Sequence, residues 1–165
     1  MSARIRLSCG EVSQMASPEN VGPIEVRLAE EYDIAAIARL AGELGYPSTS
    51  EHVLQRFAAI AAIPHQAAFV AVTGGHAVIG WIHLSEARSL ESEPRAEIGG
   101  LVVDSRFRNA GAGRLLVERG EEWARERGLA MIGVRCNVIR ERTHTFYMRL
   151  GYIEKKTQKV FRKTL

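Results

Sequence analysis

Apolar positions recur along this chain at two spacings, and the switches between them mark its elements. Ile24-Glu-Val-Arg-Leu28 alternates as a strand. Asp33 then stands as N-cap to a helical stripe of Ile34, Ile37, Ala38, Ala41 and Leu44, which Gly45 and Pro47 bring to an end. Ser48-Thr-Ser-Glu51 opens a second helix with Val53, Phe57, Ile60 and Ala61 on one face and a stop at Pro64. The apolar runs Ala67–Val72 and Ala77–Leu84 flank Gly74-Gly75, a hairpin signal.

Past a polar connection from Glu86 to Pro94, Glu97-Ile-Gly-Gly-Leu-Val-Val103 is short, apolar and β-branched at its end, and predicts a largely buried strand. Arg114 to Arg127 carries Leu115, Leu116, Gly120, Trp123 and Ala124 along one side and charged residues elsewhere, the pattern of an amphipathic helix. Between them, Arg108-Asn-Ala-Gly-Ala-Gly113 feeds small residues into a helix N-terminus. Free N–H groups and the positive end of the helix dipole meet there, and glycine lets a backbone approach an anion closely. Phosphate oxygens suit such a loop, although a Gly-rich turn before a helix is equally compatible with a tight connection.

Ala130-Met-Ile-Gly-Val134 predicts a further buried strand. A helix comes next, with Ile139, Thr143, Phe146, Tyr147 and Leu150 on one stripe and Gly151 as its end. Tyr152-Ile-Glu154 and Gln158-Lys-Val-Phe-Arg162 predict two closing strands around Lys155-Lys156, a solvated turn. Residues 1–22, with few large apolar groups, form an N-terminal extension in which Met15 is an alternative start, and residues 23–165 form a single domain. The order β-α-α-β-β-β-α-β-α-β-β describes a mixed α/β sheet with helices on both faces.

Composition alters this picture little. A hydrophobic fraction of 46% and a charged fraction of 25% are ordinary for a soluble globular chain. The formal charge of +3 leans toward an anionic ligand, but 22 basic against 19 acidic residues is too mild a balance to indicate nucleic acid. Cys9 and Cys136 lie far apart without metal-ligand spacing, which points away from a disulfide framework or a metal and toward a reducing compartment. No run spans a bilayer and no signal-peptide core is present, so the expected home is the cytoplasm, with no membrane partner.

Taken together, Leu101-x-Val103, Arg108-x-x-Gly111-x-Gly113, Asn137-x-x-Arg140 and His144-x-Phe146-Tyr147-x-x-x-Gly151-Tyr152 resemble the GCN5-related N-acetyltransferase (GNAT) superfamily. The match in element order covers Ile24 to Leu165. The resemblance implies an acetyl-CoA-dependent N-acetyltransferase acting on a small-molecule amine. The alternatives are a protein Lys or N-terminal acetyltransferase, and a non-catalytic acyl-CoA-binding module that keeps the loop but has lost turnover, against which the presence of both Glu97 and Tyr147 argues. A homodimer is a common assembly of this architecture. Ser105 replaces a frequent family Pro and Asn109 a frequent Gly, and neither position needs its side chain to bind phosphate; Thr143 replaces a common Ala with a residue small enough for a packed face.

By this resemblance the pantetheine arm lies along Leu101, Val102 and Val103. The pyrophosphate lies on Arg108, Asn109, Ala110, Gly111, Ala112, Gly113 and Arg114. Asn137 bonds the pantetheine or a bridging water, and His144 reaches cofactor or substrate unless it is structural. Attack by a lysine-like amine, with pKa about 10.4, needs a proton acceptor. Glu97 occupies the strand position where relatives place a carboxylate acting through water; its alternative is a solvated or salt-bridged strand residue. Glu86, Glu91, Glu93 and His83 are fallbacks. Backbone N–H groups around Val102 and Val103 serve the developing oxyanion. Tyr147 matches the family tyrosine that protonates the leaving thiolate, against the alternative of an aromatic core residue.

Overall fold

The computed structural model describes residues 22–74 and 76–165, and its sheet grows outward from the expected hairpin. β2 (Gln66–Val72) and β3 (Val78–Ala87) pair antiparallel from Val72↔Val78 to Gln66↔Ser85. β1 (Glu25–Leu28) flanks β2 and β4 (Arg95–Val103) flanks β3, both antiparallel, while β5 (Ile132–Val134) lies parallel to β4. The order is therefore β1-β2-β3-β4-β5. A parallel neighbour needs a crossover, and α3 (Ala112–Glu126) supplies it. The remaining helices are α1 (Ile34–Leu44), α2 (Ser50–Ala61) and α4 (Glu141–Arg149).

The period of two in the strands divides the core between two layers. Phe69, Ile82, Leu84 and Ile98 face α3, where Leu116, Val117, Trp123 and Ala124 cover them. Val70, Val72 and Val102 face the other way onto Leu40 of α1, and Ile34, Ala38 and Val53 join α1 to α2. Leu40, Ile82, Leu84 and Leu116 have no exposed surface. Burial of each such side chain contributes about 1.5–3 kcal/mol, so both layers anchor the sheet. The expected mixed α/β class, with helices on both faces, is the one observed.

Two details differ from expectation. Asp33 precedes α1, yet its carboxylate does not cap that helix. It is buried, accepts Arg27 Nη1 and Nη2 at 2.7 and 2.8 Å, and accepts the Glu30 N–H at 2.9 Å across the short 3-10 turn Glu31–Asp33. The cap of α2 is Thr49, within the expected Ser48–Glu51 start, and its hydroxyl accepts the His52 N–H. The second difference is larger: the two closing strands do not form, and residues 152–165 carry no helix or strand. Their alternating pattern has no ladder alongside it, and an isolated pair of short strands is not stable by itself. The N-terminal extension, but for Gly22, lies outside the described residues, as does Gly75 of the hairpin turn.

Candidate active site

The site begins where two strands part. β4 and β5 share only Ala96↔Ile132, Glu97↔Gly133 and Ile98↔Val134. From Gly99 onward β4 keeps β3 on one side, with Ile82↔Leu101, Trp81↔Val102 and Gly80↔Val103, and has no partner strand on the other among the described residues. The backbone of Leu101, Val102 and Val103 thus runs along an open edge that can bond an extended chain such as a pantetheine arm.

That edge leads into the loop. Ser105–Phe107 make one 3-10 turn, then Asn109 and Gly111 both adopt left-handed backbone, with φ of +67° and +92°. Asparagine tolerates this conformation and glycine favours it. The N–H groups of Ala112, Gly113 and Arg114 form the first turn of α3, which has no intrahelical acceptor. The side chains of Arg108, Asn109 and Ala110 are exposed, and Arg114 lies 3.6 Å from Glu118 along the helix. A Cβ built on Gly113 would stand 3.4 Å from the Phe146 ring and 3.6 Å from Val103 Cγ2. Strand, loop and α4 therefore converge at one point, as a phosphate cradle beside a pantetheine groove requires.

A charged clamp that sequence analysis did not single out holds this junction. Asp104, with 1% of its surface exposed, accepts Arg106 Nε and Nη2 at 3.0 and 2.8 Å, the Arg106 N–H at 3.0 Å, and Arg39 Nη1 of α1 at 2.8 Å. The Arg106 hydrogen bonds, and then Arg39, hold the Asp104 carboxyl well below the usual carboxylate range. Glu43 of α1 accepts the Ser105 N–H at 2.9 Å, and the same oxygen lies 3.5 Å from Arg108 Nη2. The only sequence signal was the local spacing of Asp104 and Arg106; Arg39 and Glu43 come from more than sixty residues away.

α4 closes the far side. Tyr147 is buried, with its ring 5.1 Å edge-on to Phe146 and 5.2 Å from Tyr152. Burial, and then the neighbouring Cys136 and Tyr152, push its phenol up, so the hydroxyl keeps its proton at neutral pH. His144 Nε2 lies 3.0 Å from the Asn137 carbonyl oxygen, and Asn137 Oδ1 accepts the Ile139 N–H at 3.2 Å. These two expected cofactor residues thus meet each other and brace the entry to α4. Arg140 donates to the Leu44 carbonyl oxygen at 2.8 Å and ties that entry to α1.

Glu97 faces away from α3, beside Ser85 on β3 and Gly133 on β5. Its carboxylate pairs with Arg135, and Arg95 Nη2 approaches the other oxygen at 4.0 Å. On the same face His83 Nε2 lies 2.9 Å from Gln66 Oε1. Of the other acidic candidates, Glu86 pairs with His65 and Arg88, whereas Glu91 and Glu93 are exposed in the connection before β4.

This arrangement has relatives. The acetyltransferase (GNAT) family model matches residues 32–152. An uncharacterized N-acetyltransferase of Methanocaldococcus jannaschii is 34% identical over 71 residues, 43% of this chain, and the match spans only 31% of that protein's length. The aminoglycoside antibiotic 6'-N-acetyltransferase AAC(6')-Ih of Acinetobacter baumannii superposes with a TM-score of 0.77 at 19% identity, over 87% of this chain and 99% of its own. AAC(6')-Iy, in complex with a bisubstrate analog of CoA, does so with 0.77 at 18% identity, over 87% of this chain and 100% of its own. At those identities the likeness is one of fold. The family match, by contrast, runs from the turn before α1 to Tyr152 and takes in the open strand, the loop and α4, so the chain belongs to the GNAT family of acetyltransferases.

Proposed function

We propose that this chain is an acetyl-CoA-dependent N-acetyltransferase that acetylates a primary amine of a small molecule by direct attack on the thioester. The observation that carries this is the convergence of Val103, Gly113 and Phe146, which sets an unpaired strand edge, a helix N-terminus and the Tyr147 helix around one opening. A strand edge bonds an amide-containing arm, and free N–H groups bond phosphate oxygens. Gly113 leaves the cradle open, so the residues present fit coenzyme A. The aminoglycoside acetyltransferases of like fold support a small amine as acceptor.

Acetyl-CoA supplies the electrophilic carbonyl. In the proposed mechanism Leu101 to Val103 orient the arm, and the N–H groups around Val102 and Val103 receive the oxygen that gains negative charge. Arg108 and the N–H groups from Asn109 to Arg114 hold the pyrophosphate, with Asn137 and His144 flanking the arm. The Tyr147 hydroxyl donates its proton to the departing sulfur. Glu97 gives the acceptor face a carboxylate that draws a cationic amine once the Arg135 pair opens.

Residues 23–165 act as one catalytic domain, with 1–22 as an extension, in the cytoplasm, where two cysteines without a disulfide framework belong. A second copy of the chain completes the assembly. The support for it is a tail that leaves Ile153, Val160 and Phe161 each more than 70% exposed. A panel of aminoglycosides, polyamines, amino sugars and a lysine peptide, assayed by release of CoA thiol, tests the activity. Direct attack predicts no acetylated protein by intact mass after incubation with acetyl-CoA alone.

A further inference from the structure

His83 is held in a manner that a packing role alone does not require. It lies on β3 opposite Gly100, where the β3–β4 register shifts between His83 and Leu84. Its ring rests on the bare backbone of β4: a Cβ on Gly99 would stand 2.8 Å from His83 Nδ1, so any other residue there would displace the ring. With the Gln66 amide oxygen 2.9 Å from Nε2, the tautomer that bonds it carries the hydrogen on Nε2 and keeps the lone pair on Nδ1. Gly99 is also the first β4 residue beyond the last β5 pair, Ile98↔Val134. The ring therefore lies against the backbone at which the β4–β5 opening toward Leu101–Val103 begins.

Among the described residues no side chain is bonded to Nδ1 of His83. Glu97, Arg95 and Arg135 are the charged groups on the neighbouring part of the face, and they are engaged with one another. Glu86 and His65 pair at the end of β3, and α1 and α2 turn Leu40, Leu44 and Phe57 toward the sheet. Burial lowers the histidine below its ordinary value of 6.5, so the ring is neutral at physiological pH.

We propose that Nδ1 of His83 is the group that removes the proton from the attacking amine. This rests on the acetyltransferase function proposed above. As the N–C bond to the acetyl carbon forms and the C–S bond breaks, the nitrogen sheds one proton to His83. The sulfur gains one from Tyr147. Solvent then takes the proton from His83 and restores that of Tyr147, which leaves amide and free thiol. Gln66 is a positioning residue that selects the tautomer, and Glu97 attracts the amine without taking the proton itself.

The test is a pH profile of kcat/KM, from pH 5.5 to 9.5, on whichever amine of the panel turns over, for the wild type, H83Q, E97Q and Q66L. In the wild type the logarithm of the rate rises with a slope of about two at acid pH, where both amine and His83 must lose a proton, and of about one above the break. H83Q loses the break, and its rate near neutral pH falls about a hundredfold, the usual scale for a general base. E97Q keeps the break. Q66L, in which His83 is intact, moves it to lower pH, because the imidazolium loses an acceptor. The acetyl-CoA thermal shift stays unchanged in all three variants. A wild type without a break, an H83Q profile parallel to the wild type, a break lost only in E97Q, or a break unmoved in Q66L overturns the assignment. Absence of turnover on every amine while acetyl-CoA binds overturns the acetyltransferase function along with it, a pattern distinct from each of these.

Discussion

Glu43 and Ser105 lie 62 residues apart, yet the carboxylate of one accepts the backbone N–H of the other at 2.9 Å. The bond pins the strand-to-loop turn to α1, and Arg108 lies beside the same oxygen. A hydrogen bond to a charged group contributes about 1.5–3 kcal/mol, and the partly exposed Glu43 belongs at or below the low end. Glu43→Ala should therefore cost about 1–1.5 kcal/mol and lower Tm by a few degrees. Thermal melting of the two proteins checks this; an unchanged Tm would leave the contact without energetic weight.

Asp104 makes the same junction pH-dependent. Its carboxyl is held below the ordinary value of 3.8, so the unfolded chain binds the proton more readily than the folded one. The stabilisation is present above about pH 4 and is lost as pH falls from there. Asp104→Asn should cost about 3 kcal/mol at neutral pH, the low end for breaking a buried pair, since Arg39 and Arg106 both reach solvent. The difference between the two proteins should narrow in acid. Denaturant melts at pH 7 and pH 3 would show a constant gap if the ion pairs were incidental.

Much of this architecture was legible from periodicity. The hairpin, the strand before the loop, the amphipathic α3 and the Tyr147 stripe are each set by neighbours within one turn or one strand, and the structure places each within a few residues of expectation, although that strand is buried only at Ala96, Ile98 and Val102. The clamp of Arg39, Glu43 and Asp104 was not legible, because its partners meet only after α1 folds onto the end of β4. The tail misled for a related reason. Its alternation is real, but a strand also requires an edge to pair with, and no local pattern reports one. His83 stood only among the fallbacks, since what distinguishes it is Gln66, 17 residues earlier on the adjacent strand.

Gly113→Glu is the sharpest probe of the proposed cradle. The new carboxylate would enter the first turn of α3 against Phe146 and repel phosphate where N–H groups now face outward. Affinity for acetyl-CoA should fall by roughly tenfold or more, the equivalent of about 1.4 kcal/mol. Calorimetric titration checks it, and retained affinity would remove the loop from the binding site.

Tyr147→Phe separates binding from chemistry. The ring stays packed between Phe146 and Tyr152, while the protonated hydroxyl is removed. The kcat should drop by about a hundredfold, in line with loss of a general acid, with acetyl-CoA affinity within about twofold of the wild type. Equal kcat values would make Tyr147 an aromatic core residue only.

Removal of residues 155–165 tests the proposed second copy. The cut leaves Tyr152 packed on the core and takes away Val160 and Phe161. Light scattering should then show half the mass of the full chain, with little change in Tm; an unchanged mass would dismiss the tail as the contact.

The three residue pairs between β4 and β5 also make the shortest ladder of the sheet. The chain beyond α3 is fastened to the rest by that short ladder, by apolar contacts, by the Arg135–Glu97 pair and by the bonds of Arg127 to Pro64 and Arg140 to Leu44, whereas β2 and β3 share a ladder of seven pairs. Amide exchange at Ile132–Val134 should accordingly be faster than in the middle of β2. A ligand lying in the gap would suture the two sides. The slowing of exchange at those three amides on addition of acetyl-CoA, with β2 unaffected, measures how much of the binding free energy goes into closing that seam.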